Sequence, residues 1–237
     1  MTSVEELKKL KIDFPTEEKI IGYKSFYNRV VKRIIDFILA LIMTIVLSPL
    51  FIVVSVLIIS DDGFPVFYRA QRGGYKNKPF RIYKFRSMIN NADKIGGGTT
   101  ALNDSRITKI GSFLRKTKLD EFANLFNILR GEMSFIGPRP ELLQYTDQYE
   151  GVERYIFEVR PGITDYSSDV FINLDEIVGG ENADEMYEIY VLKNKNALRV
   201  KYAAEVSFRT DVKIFFKTVL DVLKKAFGFI FKKEHRG

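Results

Sequence analysis

The segment 115–140, RKTKLDEFANLFNILRGEMSFIGPRP, holds the residues best suited to chemistry. Two adjacent carboxylates, Asp120 and Glu121, fall in the first turn of an expected amphipathic helix, and Arg115, Lys116 and Lys118 crowd the same turn. Carboxylates beside fixed cations can hold a divalent metal and a phosphate together, and a helix N-terminus with arginine and lysine nearby is itself suited to phosphate. A structural role competes. Thr117-x-x-Asp120 has the form of a capping box, and acidic residues at that end are favoured by the helix dipole. The turn nevertheless carries more cation than a cap requires. Lys84-Phe85-Arg86-Ser87-Met88 is a second basic cluster, at an expected strand end where lysine can also guard an edge. Gly137-Pro138-Arg139-Pro140 and Arg160-Pro161-Gly162 each mount an arginine on a stiff turn, so that it loses less freedom on gripping a phosphate.

Composition narrows the chemistry further. The 237 residues include no cysteine, which excludes disulfides, thiolate nucleophiles and cysteine-ligated metal clusters. The one histidine, His235, lies in a basic tail, so acid–base and metal chemistry must rest on Asp, Glu, Lys, Tyr or Arg. A net charge of +7 favours anionic partners. Nucleic acid is the least suitable of them, because no reader motif is present.

The elements that must position these residues begin with an apolar run over 34–59, interrupted by Asp36, Thr44, Ser48 and Ser55. A straight helix of that length reaches roughly 39 Å, against a bilayer core of about 30 Å. Ser48-Pro49 falls near its centre, where proline removes a donor and clashes with the preceding turn, so a kink or break is expected. Arg29, Lys32 and Arg33 precede the run, and Arg69, Arg72, Lys76 and Lys78 follow it. Cations on both sides suit a helix that dips into the membrane and returns, although a spanning helix with a proline kink fits the same residues. Asp36 is expected to pair with Arg33 or with a cation of the folded domain.

Around this run the chain divides into a surface segment (1–30), the membrane helix (31–60), a cytosolic catalytic domain (61–210) and a C-terminal amphipathic helix with a basic tail (211–237). The expected fold class is α+β, mostly helical. Short strands are expected at 65–68 and 79–88, and a mobile loop at 90–104. Helices are expected at 117–130, 142–149, 182–204 and 212–231. The last of these carries lysines opposite a broad apolar face, which suits the membrane interface; burial in a core is the alternative.

In order along the chain, Lys32-Arg33-x-x-Asp36, Ser48-Pro49, Gln71-x-Gly73, Lys84-Phe85-Arg86-Ser87-Met88, Asp104-x-Arg106-Ile107-Thr108, Leu119-Asp120-Glu121, Gly137-Pro138-Arg139-Pro140 and Arg160-Pro161-Gly162-Ile163-Thr164 resemble the bacterial sugar transferases. These are monotopic polyprenyl-phosphate phosphoglycosyltransferases, here in a small, minimal form. The resemblance implies a re-entrant helix broken at Ser48-Pro49, at the cytoplasmic face of a bacterial inner membrane. It implies transfer of a sugar 1-phosphate from a UDP-sugar to polyprenyl (undecaprenyl) phosphate with release of UMP, at the start of polysaccharide or glycoconjugate synthesis. Asp120 would attack the sugar-bearing phosphorus and form a covalent intermediate, and Asp120 and Glu121 would hold Mg²⁺. Lys84, Arg86, Arg115, Arg139 and Arg160 would bind the phosphates. A homodimer is compatible with this picture.

The chain departs from the family pattern at Phe122-Ala123-Asn124, where Leu-Pro-Gln is common, and at Asp165-Tyr166-Ser167-Ser168, where Gly-Trp is common. The second change leaves the sugar open. A membrane-tethered, non-catalytic assembly or regulatory protein of a polysaccharide pathway is the alternative function.

Overall fold

The computed structural model describes residues 4–92, 104–171 and 183–234. It is mostly helical with a small sheet content. Helix α1 (Val4–Lys9) is followed by the long apolar α2 (Lys32–Asp62). Four two-residue strands come next, β1 (Phe67–Tyr68), β2 (Gln71–Arg72), β3 (Phe80–Arg81) and β4 (Lys84–Phe85). Helix α3 (Lys109–Thr117) leads into a 3₁₀ turn (Leu119–Asn124) continuous with α4 (Leu125–Arg130), and β5 (Ser134–Ile136) and α5 (Leu143–Thr146) follow. The chain ends with β6 (Gly162–Thr164), α6 (Tyr166–Val170), α7 (Ala183–Met186), a π-helical stretch (Tyr187–Leu192), α8 (Lys193–Glu205) and α9 (Phe208–Glu234).

The strand expected over 79–88 is two strands with separate antiparallel partners, β1 with β4 and β2 with β3. The only parallel pair among the described residues is β5 with β6. There two glycines let the backbones close. A Cβ on Gly137 would lie 2.3 Å from the Arg160 carbonyl oxygen, and one on Gly162 would lie 2.2 Å from the Gly137 nitrogen. The two arginine-bearing turns are thereby held side by side. Of the loop expected at 90–104, residues 93–103 lie outside the described residues.

Helix α2 holds the expected site of a kink or break. Pro49 lies inside it without ending it. Proline leaves the carbonyl four residues earlier without its helical donor, and the Ser48 hydroxyl donates to that carbonyl, Ile45, at 2.8 Å. The helix assignment thus continues through Ser48-Pro49, with the carbonyl that proline orphans satisfied by the neighbouring hydroxyl. Lys32, Asp36, Ala40, Phe51, Val54 and Ile58 are buried, while Ile38, Ile42, Ile45, Val46, Ile52, Val53 and Val56 are exposed. The helical run Tyr27–Asp62 contains an 18-residue stretch of mean hydropathy 2.9 and is long and apolar enough to cross a membrane.

Both ends of α2 are tied to the same globular body. Near its start, Arg33 donates to the carbonyls of Ile128 (2.5 Å) and Leu129 (2.9 Å) at the C-terminal end of α4. At its other end, Arg86 donates to the carbonyls of Asp62 (2.9 Å) and Gly63 (2.6 Å). Between them Phe51 meets Phe85 and Phe126 edge-on, with ring centroids 5.4 and 5.7 Å apart. Asp36 does not pair as expected: Arg33 is committed to α4, so Asp36 accepts the Phe135 N–H (3.3 Å) and faces Lys32 at 4.0 Å. Lys32 itself reaches Asp211 of α9 at 2.5 Å, where Tyr27 and Tyr202 also donate.

Three apolar clusters fill the interior. The first packs α2 against α3, α4 and the β1–β4 region, the second packs α8 against β5 and the 151–158 turn, and the third packs the π-helical stretch against α1 and α5. The N-terminal segment is more than a surface strap, since Leu7 and Ile20 are buried in two of these clusters. Helix α9 contributes Asp211 and Ile214 to the interior and exposes Phe215, Phe216 and Leu220. An apolar outer face on its described part suits an interfacial helix.

Candidate active site

Asp120 and Glu121 open the 3₁₀ turn, and the chain reaches them through Lys118, whose φ of 59° is left-handed. The expected capping box is not formed. Thr117 is the last residue of α3, and its hydroxyl donates back to Phe113 and Leu114. The helix expected over 117–130 is therefore two elements meeting at a sharp corner, and α3 was not foreseen. Gly131, with φ 79°, ends α4 as expected.

The two carboxylates have different surroundings. Glu121 is saturated: Oε1 accepts Lys84 Nζ at 3.1 Å and one Arg139 nitrogen, and Oε2 accepts Arg139 Nη1 at 3.1 Å. Burial pushes Glu121 up, but Arg139 and Lys84 outweigh it and hold the carboxyl well below its ordinary range. Asp120 is 7% exposed and its Oδ1 has no hydrogen-bond partner. Burial pushes its pKa up and Glu121 adds to the rise, while Lys84, Lys118 and Arg115 oppose it. A buried acceptor left without a donor costs about 1–3 kcal/mol, more when charged.

Among the expected phosphate cations, Lys84 and Arg139 are gathered around Glu121. Arg115 is half-buried within charge range of Asp120 and, among the described residues, has no ion pair or side-chain hydrogen bond. Two others are placed elsewhere. Arg86 is buried and clasps the end of α2, ion-pairing Asp62 at 3.3 Å. Arg160 donates to the Gly131 carbonyl (3.0 Å) and lies over the Tyr75 ring, so it sits at the far end of α4 from Asp120.

Two positioning residues escaped the sequence reading. Asn127 is fully buried; its Oδ1 accepts the Tyr83 N–H (2.8 Å), and its Nδ2 donates to the Arg81 carbonyl (2.8 Å) and to Glu132 (2.7 Å). It fixes the β3–β4 backbone to α4 and so sets where Lys84 emerges. Asp165 caps α6 through the Ser167 and Ser168 N–H groups, and its other oxygen accepts the Arg139 N–H at 3.0 Å. The Asp-x-x-Ser spacing signals a capping box, but its grip on Arg139 bridges 26 residues.

No group of three or more His, Asp or Glu converges among the described residues. The unpartnered oxygens near the doublet are Asp120 Oδ1 and Asn124 Oδ1. Such a set suits Mg²⁺, which takes one or two protein oxygens and completes its shell with phosphate and water.

Residues 27–225 match the family model of the bacterial sugar transferases. A UDP-glucose:undecaprenyl-phosphate glucose-1-phosphate transferase from Klebsiella pneumoniae is 34% identical over 213 residues, covering 88% of this chain and 42% of that protein. The UDP-N-acetylgalactosamine-undecaprenyl-phosphate N-acetylgalactosaminephosphotransferase of Aeromonas hydrophila is 34% identical over 203 residues, covering 81% and 44%. The exopolysaccharide production protein ExoY of Sinorhizobium fredii is 34% identical over 203 residues, covering 79% and 83%. The chain thus spans less than half the length of the first two relatives and most of the third. It belongs to the bacterial sugar transferase family.

Proposed function

We propose that this protein is an Mg²⁺-dependent phosphoglycosyltransferase that moves a sugar 1-phosphate from a UDP-sugar to undecaprenyl phosphate, releasing UMP. The observation that carries this reading is Asp120, a buried carboxylate with an unpartnered oxygen among cations, in a family whose named relatives perform such transfers. Asp120 attacks the sugar-bearing phosphorus of the donor. The bond from that phosphorus to the bridging oxygen breaks, and its electron pair leaves on UMP. A phosphate oxygen of the acceptor then attacks the same phosphorus, and Asp120 leaves as the carboxylate. Neither step needs a proton, which suits a site without histidine.

The surrounding residues divide the work. Glu121 orients Lys84 and Arg139 toward the donor phosphates, while Arg115 and Lys118 offset negative charge that grows at Asp120. Bound Mg²⁺ supplies further charge neutralisation on the donor diphosphate. The acceptor phosphate cannot leave the headgroup plane, so the site must lie at the membrane surface. A re-entrant α2 meets that need. Its first and last turns are clasped by one globular body, whereas a spanning helix carries one end to the opposite side of the bilayer. We place the catalytic body at the cytoplasmic face, where UDP-sugars are made.

Incubation with a UDP-sugar, undecaprenyl phosphate and Mg²⁺ should yield UMP and a lipid-linked sugar. With donor alone, intact-mass analysis should show one sugar-phosphate adduct on Asp120. An adduct on another residue, or none while turnover proceeds, would refute the two-step path.

A further inference from the structure

Helix α9 meets the catalytic body along one stripe. Asp211, Ile214 and Thr218 recur at helical spacing, the first two buried and the third half-buried. Val212, Phe215, Phe216 and Leu220 are exposed on the other side. The inner stripe reaches both strands of the β5–β6 pair. The Tyr202 hydroxyl lies within hydrogen-bond reach of Asp211 (2.6 Å) and of the Ile136 carbonyl on β5 (3.0 Å). The Thr218 and Thr164 hydroxyls share a hydrogen bond at 2.9 Å, which ties α9 to β6. Thr164 is the middle residue of the corner that grips Arg139. Before it, the Ile163 carbonyl accepts Arg139 Nη1 at 3.1 Å; after it, Asp165 accepts the Arg139 N–H at 3.0 Å. Its own carbonyl accepts the Gly137 N–H at 3.0 Å.

The outer face of α9 stands beside the entry to α2. Lys32, in the first turn of α2, ion-pairs with Asp211, and Phe208 meets Tyr27 edge-on with ring centroids 6.1 Å apart. Around the same entry Phe26, Val30 and Ile34 are exposed. Exposed Lys213 and Lys217 flank Phe215 and Phe216 in sequence, which fits the phosphate level of a bilayer. Building on the sugar-phosphate transfer reading, we infer that Thr218 is a positioning residue for Arg139, through which docking of α9 on a lipid surface sets the donor-phosphate site. A bilayer that seats α9 favours the gripped form of the corner. A phosphate on Arg139 favours the same form, so each strengthens the other.

UMP binding to the full chain in nanodiscs, read by titration calorimetry with Mg²⁺ present, tests the assignment without requiring turnover. Coupling between sites spans about 5- to 150-fold in affinity, so Thr218→Val should weaken UMP binding at least about 5-fold, and Thr218→Ser, which keeps the hydroxyl, should restore it. The double variant Phe215→Ser/Phe216→Ser changes only exposed side chains and should weaken UMP binding by a similar factor. The two losses should not add, so the triple variant with Thr218→Val should bind UMP as Thr218→Val does. A merely structural Thr218 would lower the thermal midpoint and leave UMP affinity alone. Unchanged affinity in Thr218→Val or in the phenylalanine variant, no restoration by serine, additive losses, or no UMP binding by the wild type overturns the inference. Should Thr218→Val fail to fold, the phenylalanine variant decides alone: weakened binding supports the coupling, and unchanged affinity overturns it. UMP release from a UDP-sugar on the same wild-type preparation tests the reaction separately. The expected pattern of UMP affinities without UMP release would count against transfer and leave the role of Thr218 standing.

Discussion

Two enclosed acidic residues, the largely buried Glu141 and the buried Asp120, show how differently one chain can treat the same chemical group. Glu141 follows the Pro138-Arg139-Pro140 turn and is met by Arg199 at 2.5 Å and by the Tyr187 hydroxyl. Burial pushes its pKa up, but Arg199 and Lys195 outweigh that and bring it to about 2. Its own backbone carbonyl accepts the Gly73 N–H, so the whole residue is locked into the frame. Asp120 is at least as enclosed and lacks a donor for Oδ1, and burial raises its pKa. The frame is satisfied while the working residue is left wanting. Strain of that kind persists only where the surrounding structure over-determines it.

The largest expected effect breaks the contrast from the Asp120 side. Asp120→Asn should lower turnover by about 10³-fold or more, measured as UMP release. Its thermal midpoint should hold or rise, because a buried charge without a full set of partners is removed. On the Glu141 side the order inverts. Arg199→Met strands a buried carboxylate and should cost about 3–5 kcal/mol of stability, read by thermal unfolding in detergent, with Glu141→Gln in the same chain restoring part of the loss.

Acid sharpens the same point. The folded pKa of Glu141, about 2, lies below the ordinary glutamate value of about 4.3. Its contribution is therefore fully present above about pH 4.3 and fades as pH falls toward 2. Glu141→Gln should flatten that part of the stability–pH curve. A comparable loss is expected at Asn127, where alanine leaves Tyr83 N–H and Arg81 C=O without partners at about 1–3 kcal/mol each. Turnover should fall as well, because Lys84 loses its register. The smallest belongs to Ser48→Ala, about 1 kcal/mol, from losing the hydroxyl that serves Ile45.

Much of the site was legible because it is written in contiguous residues. The doublet, the basic KFRSM cluster and the proline-bracketed arginines are short motifs, and each survives as a local feature. The apolar run and the helices at 182–204 and 212–231 were legible for a similar reason, since periodicity and composition are properties of a segment. The rest came from backbone turns and contacts that residue type does not announce. Thr117 looks like a cap until Lys118 turns the chain left-handed. At Pro49, the Ser48 hydroxyl serves the carbonyl that proline orphans. Arg86 and Arg160 read as phosphate ligands in sequence, and the fold adds a second role, since they donate to backbone carbonyls of Asp62, Gly63 and Gly131.

The amino-acid order alone determined the kind of chemistry available, carboxylates and fixed cations without cysteine or a usable histidine, and the presence of a helix suited to lipid. These depend on residue type and near-neighbour spacing, which folding does not alter. Only the tertiary structure decided which carboxylate is saturated, which cations reach the doublet and which serve as clasps for α2 and α4. Those outcomes turn on contacts across 18 residues from Arg139 to Glu121, 37 from Lys84 and about a hundred from Arg33 to α4. A buried polar group takes whichever partner packing brings within hydrogen-bond reach, and no local pattern records that choice.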